Sequence, residues 1–220
     1  MKIIVIDDHA LMLDLLVRAC RETLPGATVV GAQKASTGLT LCRAEQPELV
    51  ILDLGLPDRD GLDLLEELFS VSRHSKVIGI SGYCDEYTMH RVLNSKLHGF
   101  VDKKGQTLDQ LAAAIHAVLA GERYFSPTAD KARLALRNDP LAFNKILSER
   151  EQQLLALFGR GLSNEEIAGA VNLSELTVRN HRCRTMAKLG LRTSAELIRY
   201  ALEKGFIRLE TLGRPGTGLG

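Results

Sequence analysis

The chain has 220 residues, of which 45% are hydrophobic and 25% charged, values ordinary for a soluble globular protein built as one large domain or two small ones. A core of normal size can be buried, so no disulfide or metal staple is required, and four cysteines without a C-x-x-C pair argue against a zinc or iron–sulfur site. No apolar run approaches the roughly 18 residues of a membrane span.

The N-terminus enters directly into Ile3-Ile4-Val5-Ile6, which reads as a buried strand rather than a signal peptide. Residues 10–24 follow with helical periodicity. Leu11, Leu15, Ala19 and Thr23 recur at spacing four, and Met12 and Leu16 widen the same face. Thr28–Gly31 is a weaker second strand. A helix over about 36–45 ends before Pro47, as the pre-proline restriction dictates. Cys20 and Cys42 fall in apolar helical patterns and read as packing residues, which fits a reducing cytoplasm and a cytoplasmic protein.

Leu49-Val50-Ile51-Leu52 is apolar at every residue, the mark of a strand covered on both faces. A helix over 61–70 carries Leu62, Leu65, Leu68 and Phe69. Val77–Ile80 forms a fourth strand, 86–97 a less apolar helix, and Gly99–Val101 a fifth strand. Thr107 and Gln110 form a capping box ahead of the stripe Leu108, Leu111, Ile115, Val118 and Leu119. Five strand–helix units in a row predict an α/β fold: a five-stranded, doubly wound parallel sheet of flavodoxin-like type over residues 1–121.

Residues 122–146, with Pro127 and Asn138-Asp139-Pro140, read as a linker with one helical turn or more around 129–137. From Leu147 the pattern is helical only. Capping boxes at Ser148/Glu151, Ser163/Glu166 and Thr193/Glu196, with Ser174 as a further N-cap, give four helices: 149–159, 164–170, 175–189 and 194–204. This all-α domain spans 147–208 and contains a helix–turn–helix. The glycine-rich stretch 209–220 reads as a flexible tail.

Charge divides the same way. Residues 1–121 hold 12 Lys and Arg against 16 Asp and Glu, whereas residues 144–220 hold 12 against 8. The basic half is the candidate for nucleic acid.

Three carboxylates sit where ligands bind in such a sheet, beyond the carboxyl ends of the strands: Asp7 and Asp8 after the first strand and Asp53 after the third. Crowded carboxylates need a compensating cation, and oxygen ligands with open water positions suit Mg²⁺. Ser81, ending the fourth strand, adds a hydroxyl, and Lys103, after the fifth, adds a charge that can neutralise phosphoryl oxygens. In the basic half, Ala168 is small where two helices cross and Val178 is apolar. Thr177, Arg179, Asn180, His181, Arg182, Arg184 and Lys188, with Ser174 at the helix start, are candidate DNA contacts, since Arg and Asn suit phosphate and base-edge binding.

The set Asp7-Asp8, Asp53 four residues before Pro57, Ser81 and Phe100…Lys103 resembles the receiver domain of bacterial two-component response regulators. The wording L-S-E-R-E at 147–151, G-L-S-N-E-E-I-A at 161–168, L-S-E-L-T-V-R-N-H at 173–181 and K-L-G at 188–190 resembles the LuxR-type DNA-binding domain. Together they resemble the NarL/FixJ class. The resemblance implies that Asp53 accepts a phosphoryl group from a sensor histidine kinase. Asp8, Asp53 and the Gly55 carbonyl would ligate Mg²⁺, with Asp7 acting mainly through water. Lys103 would hold a phosphoryl oxygen, and Ser81 and Phe100 would move inward as a switch, biasing the surface of residues 82–106.

The class further implies a homodimer on phosphorylation, formed partly through the last helix, with the third C-terminal helix in the major groove of double-stranded DNA, and RNA polymerase as a partner. It implies no enzyme beyond self-catalysed phosphotransfer and slow autodephosphorylation. Position 81 more often carries Thr, and position 179 Lys; both departures keep the chemistry. Cys183 departs from the usual wording, and no base contact is assigned to it. Two alternatives remain: a phosphorylation-independent DNA-binding protein, and an enzyme using Asp53 as a covalent nucleophile, for which no separate general acid is evident.

Overall fold

The computed structural model describes residues 1–105 and 107–208. These pack as two compact units, residues 1–84 with 91–132, and residues 85–90 with those from 133 onward.

The first unit is built on β1 (Lys2–Ile6), β2 (Thr28–Ala32), β3 (Leu49–Asp53), β4 (Lys76–Ser81), β5 (Gly99–Asp102) and β6 (Tyr124–Phe125). The order is β2-β1-β3-β4-β5-β6, with every pair parallel. The sheet thus has six strands rather than the five expected. The sixth is only two residues long and pairs with β5 through Gly99↔Tyr124 and Phe100↔Phe125. Its shortness explains why it carries no recognisable alternation in the sequence.

Helices α1 (Ala10–Thr23), α2 (Ala35–Glu45), α3 (Leu65–Val71), α4 (Glu86–Leu93) and α5 (Thr107–Leu119) connect the strands. Ile3, Val5, Leu49, Ile51, Ile78, Ile80 and Val101 form a fully buried apolar layer with Leu111, Ile115 and Leu16. The uninterrupted apolar runs of β1 and β3 follow from burial on both faces.

Three sequence expectations shift by a few residues or one face. The buried side of α1 is Leu13, Leu16, Ala19 and Cys20, while Leu11 is 87% exposed. Ala19 of the spacing-four row and Leu16 of the widened face are buried, but Leu11 and Leu15 are exposed, and the i, i+3, i+7 row through Leu13 completes the core stripe. Helix α3 begins at Leu65 rather than 61, because Asp60 accepts the Leu62 amide in a local turn and Gly61 donates to the Leu54 carbonyl. Helix α4 ends at Leu93, where Ser95 turns back onto the Val92 carbonyl. The capping box expected of Thr107 with Gln110 and the tail at 209–220 fall outside the described residues and side chains.

Cys20 and Cys42 are fully buried in helices, and burial pushes their thiols up to about 12 and about 11. Both are inert packing residues at neutral pH.

The segment expected to be mostly linker carries β6, α6 (Pro127–Asn138) and α7 (Phe143–Ile146). Beyond it, α8 (Glu149–Gly159), α9 (Asn164–Val171), α10 (Glu175–Leu189) and α11 (Ser194–Glu203) form the helical domain. All three capping boxes are formed: Ser148/Glu151, Ser163/Glu166 and Thr193/Glu196. Leu154, Leu155, Phe158, Ile167, Val178, Leu197 and Ala201 are buried at its centre. Gly190 closes α10 at φ 68°, a conformation that a Cβ would strain.

Candidate functional site

The neighbours of β1 diverge in chain order, β2 on one side and β3 on the other, so a crevice opens at the carboxyl ends of β1 and β3. Asp7 follows β1 and Asp53 ends β3. Both side chains are almost fully buried, at 0% and 4% exposure. Lys103 reaches into the same crevice from beyond β5. Its Nζ lies 2.8 Å from Asp7 Oδ2 and 2.8 Å from Asp53 Oδ2. The Lys103 amide donates to the Ser81 carbonyl at 2.8 Å, fixing the lysine relative to β4.

The remaining carboxylate oxygens are held by backbone. Asp53 Oδ1 accepts the Gly55 amide at 3.0 Å, and Asp7 Oδ1 accepts the His9 amide at 3.0 Å. The loop conformations are therefore tied to the orientation of the acids. Burial raises the Asp7 pKa, and Lys103 only partly opposes that rise. Burial would lower the Lys103 pKa, but its contacts with Asp53 and Asp7 outweigh it and the net shift is upward. Lys103 is thus a fixed cation bridging two buried acids.

Asp8 is partly exposed, and its Oδ1 lies 3.0 Å from His9 Nδ1. Asp7, Asp8, His9 and Asp53 each offer a ligand atom, all within 4.8 Å of one another. The carboxylates form a hard-oxygen donor set with an open, partly exposed side at Asp8, and this chemistry fits Mg²⁺. His9 follows the acidic pair directly in sequence, and that adjacency brings it to the cluster.

Ser81 is buried, and its hydroxyl accepts the Tyr83 amide at 3.1 Å. Phe100 is fully buried already, so its ring has no exposed starting position in this structure. Gly55 sits beside Asp53, where a Cβ would lie an ordinary 3.6 Å from Asp53 Oδ1.

In the helical domain, α9 and α10 are joined through Asn172, which adopts a left-handed φ of 52°. Ser174 caps α10 by accepting the Thr177 amide at 3.1 Å, so its hydroxyl is engaged in the helix start. Val178 is fully buried and Ala168 nearly so, as the crossing of the two helices requires.

The candidate contacts on α10 separate into two sets. Arg179, Asn180 and Arg184 are exposed, with Thr177 and His181 half-buried. Arg182 instead turns inward. Its Nε donates to Asn164 Oδ1 at 2.9 Å, a terminal nitrogen donates to the Leu162 carbonyl at 2.8 Å, and the guanidinium lies 4.4 Å from the Phe158 ring centroid. Lys188 donates to the buried Glu151 at 2.7 Å, tying α10 to the start of α8. Arg182 is thus engaged within the domain, while Lys188, whose side chain remains 45% exposed, pairs with Glu151 at its surface.

A buried acidic crevice on a parallel sheet, joined to a capped helix–turn–helix, defines a receiver-type domain linked to a DNA-binding domain. Residues 3–116 match the response regulator receiver domain, and residues 145–201 match the bacterial regulatory proteins of the luxR family. The chain belongs to the response regulators of the NarL/FixJ type. It is 35% identical over 204 residues to the virulence factors putative positive transcription regulator BvgA of Bordetella pertussis, covering 91% of this chain and 96% of that one. It is 34% identical over 212 residues to the transcriptional regulatory protein MctR of Rhizobium johnstonii, covering 94% and 95%. In fold it is similar to a solved structure of the two-component response regulator RcsB–DNA complex, with TM-score 0.64, 23% identity and coverage of 92% and 98%.

Proposed function

We propose that the chain is a transcription regulator whose DNA binding is controlled by phosphorylation of Asp53 from a sensor histidine kinase. The observation that carries this reading is the Asp7–Lys103–Asp53 bridge: a buried nucleophilic carboxylate beside a second acid, with a fixed cation touching both. An oxygen of Asp53 forms the new P–O bond as the P–N bond to the donor's imidazole breaks, giving an acyl phosphate. Lys103 neutralises a phosphoryl oxygen as charge builds in the transition state. Asp7, Asp8, Asp53 and the Gly55 carbonyl would hold Mg²⁺, which supplies electrostatic stabilisation of the phosphoryl oxygens.

The Ser81 hydroxyl, at the end of β4, and Phe100, inside β5, carry the change toward the 82–106 surface. Phosphorylation adds about one to two negative charges and strong acceptor oxygens. Such a local change biases a two-state surface toward the state that pairs the phosphate better.

The output is a homodimer on double-stranded DNA. Two weakly bound domains linked in one dimer gain affinity on adjacent half-sites without new contacts. Arg179, Asn180 and Arg184 face outward for phosphate and base contacts, with Thr177 at the edge of that face and Ser174 at its start; half-buried His181, on the side of Val178 and Thr185, is a further candidate contact. RNA polymerase is the downstream partner. The relatives are transcription regulators, and no role as a metabolic enzyme is proposed.

The test is intact mass and oligomeric state with and without acetyl phosphate and Mg²⁺. One phosphoryl group is gained, lost in Asp53→Asn, and accompanied by dimer formation. A wild-type protein that gains no mass yet binds DNA equally well under both conditions would overturn control by Asp53.

A further inference from the structure

The outward strip of α10 has a composition that the charge of the helix conceals. With about 3.6 residues per turn, Leu176, Asn180, Cys183 and Ala187 lie in one row. Val178 and Thr185, both fully buried, lie on the opposite side. The row is therefore the part of α10 furthest from the domain core. Leu176 is 65% exposed, and Asn180, Cys183 and Ala187 are exposed as well. Arg179 and Arg184, exposed too, flank the row on either side. Arg182 turns back into the domain and Lys188, 45% exposed, pairs with Glu151; neither lies in the row, so the centre of the strip carries no charge.

In the major groove only thymine presents a methyl group, and Asn pairs with the N6/N7 edge of adenine. A strip of one amide and three small or branched apolar groups, bracketed by two guanidiniums, is complementary to A·T pairs between two phosphate rows. The row itself carries no cation for the guanine O6/N7 edge, so any guanine contact falls to the flanking arginines at its margins. We propose that Leu176 and Cys183 are specificity-determining residues that pack against thymine methyl groups, so that the half-site centres on A·T pairs. The proposal rests on the DNA-binding reading given above.

The test starts from a random duplex library enriched with the full-length protein in the presence of acetyl phosphate and Mg²⁺. Each thymine of the enriched site is then replaced by deoxyuridine, which removes only the methyl. At one or two thymines per half-site the wild type loses about fourfold affinity per methyl. Leu176→Ala, a change at an exposed position, binds the thymine and uracil duplexes equally at its own contact. N-Ethylmaleimide labelling of Cys183, followed by peptide mass, is slowed by the enriched duplex. An enriched site centred on G·C, uracil tolerated everywhere by the wild type, or a Leu176→Ala protein with undiminished thymine preference at every position would overturn the proposal while leaving DNA binding intact. Absence of any enrichment or of salt-dependent binding would instead remove the DNA-binding reading.

Discussion

Gly61 offers the sharpest way to perturb the acidic crevice without touching any acid. A Cβ added there would lie 2.5 Å from the Asp53 carbonyl oxygen and 2.7 Å from Leu54 Cα, whereas ordinary contact begins at 3.4 Å. Relief requires openings of 0.9 Å (3.4 − 2.5) and 0.7 Å (3.4 − 2.7). Both obstructing atoms are backbone, so no flexible side chain can swing away. They belong to the peptide that carries Asp53, and the Leu54 amide of that segment also donates to Ile80 at 2.9 Å. Gly61→Ala therefore displaces the end of β3 by most of an ångström.

Overpacking of this kind costs about 1–3 kcal/mol of stability. A misplacement of about 1 Å at a reacting group costs on the order of 100-fold in rate. Phosphoryl uptake from acetyl phosphate, followed by intact mass over time, should fall about 10- to 100-fold in Gly61→Ala. Gly169→Ala is the control: in α9, far from the acidic crevice in sequence, its Cβ would meet nothing within 4 Å. It should stay within about threefold of wild type, roughly the effect expected without backbone displacement. Circular dichroism separates slow chemistry from an unfolded protein. A cooperatively melting Gly61→Ala that is phosphorylated at the wild-type rate would refute the reasoning.

Arg179→Ala should weaken DNA binding and reduce the salt slope by about one counterion, measured by titration across ionic strengths. Arg182→Ala should leave the slope unchanged and destabilise the helical domain by about 2–3 kcal/mol in thermal melts, because two hydrogen bonds and a cation–π contact are lost. Glu151→Ala removes the capping box of α8 together with the Lys188 pairing, and should cost about 1–2 kcal/mol by the same measurement. His98 Nδ1 accepts the Val77 amide at 3.0 Å, and burial, with Lys76 and Arg123 nearby, lowers its pKa from 6.5. The neutral ring is favoured in the fold, so its stabilisation is complete above about pH 6.5 and is lost as pH falls below it. Between pH 7.5 and 5.5, wild type should lose more stability than His98→Asn, whose amide oxygen accepts the same hydrogen bond at any pH. Equal losses would refute the assignment.

Much of this architecture is legible because strong local signals coincide. Runs such as Leu49–Leu52 have no polar alternation, and only a doubly covered strand needs that. Ser148/Glu151, Ser163/Glu166 and Thr193/Glu196 are each specific within four residues, and all three boxes form. Where the signal is short or degenerate, the sequence misleads. Tyr124-Phe125 is too brief to show a period, yet β5 offers it an edge. Leu11 and Leu15 match a helical repeat as well as Leu13 and Leu16 do, and only the packing of α1 against the sheet decides between the rows. The late start of α3 is set by Gly61 donating to the Leu54 carbonyl, a bond between a glycine and a residue seven positions earlier.

The same limit explains the site. Convergence of Asp7, Asp53 and Lys103 follows from topology alone, because a parallel sheet delivers the carboxyl ends of its strands to one edge. The division of α10 into outward and inward cations does not follow from topology. Arg179, Arg182, Arg184 and Lys188 have equal charge and similar reach, and each reads as a DNA contact in isolation. What distinguishes Arg182 is an asparagine and a carbonyl 18 and 20 residues earlier. What distinguishes Lys188 is a capping glutamate 37 residues earlier. A long flexible cation is assigned by whichever acceptor the neighbouring helix presents, and helix crossing, not local pattern, sets that acceptor. Charge counting on such a helix therefore does not separate cations with protein partners from those without, and the uncharged row through Leu176 and Cys183 stands out once the partners of Arg182 and Lys188 are known.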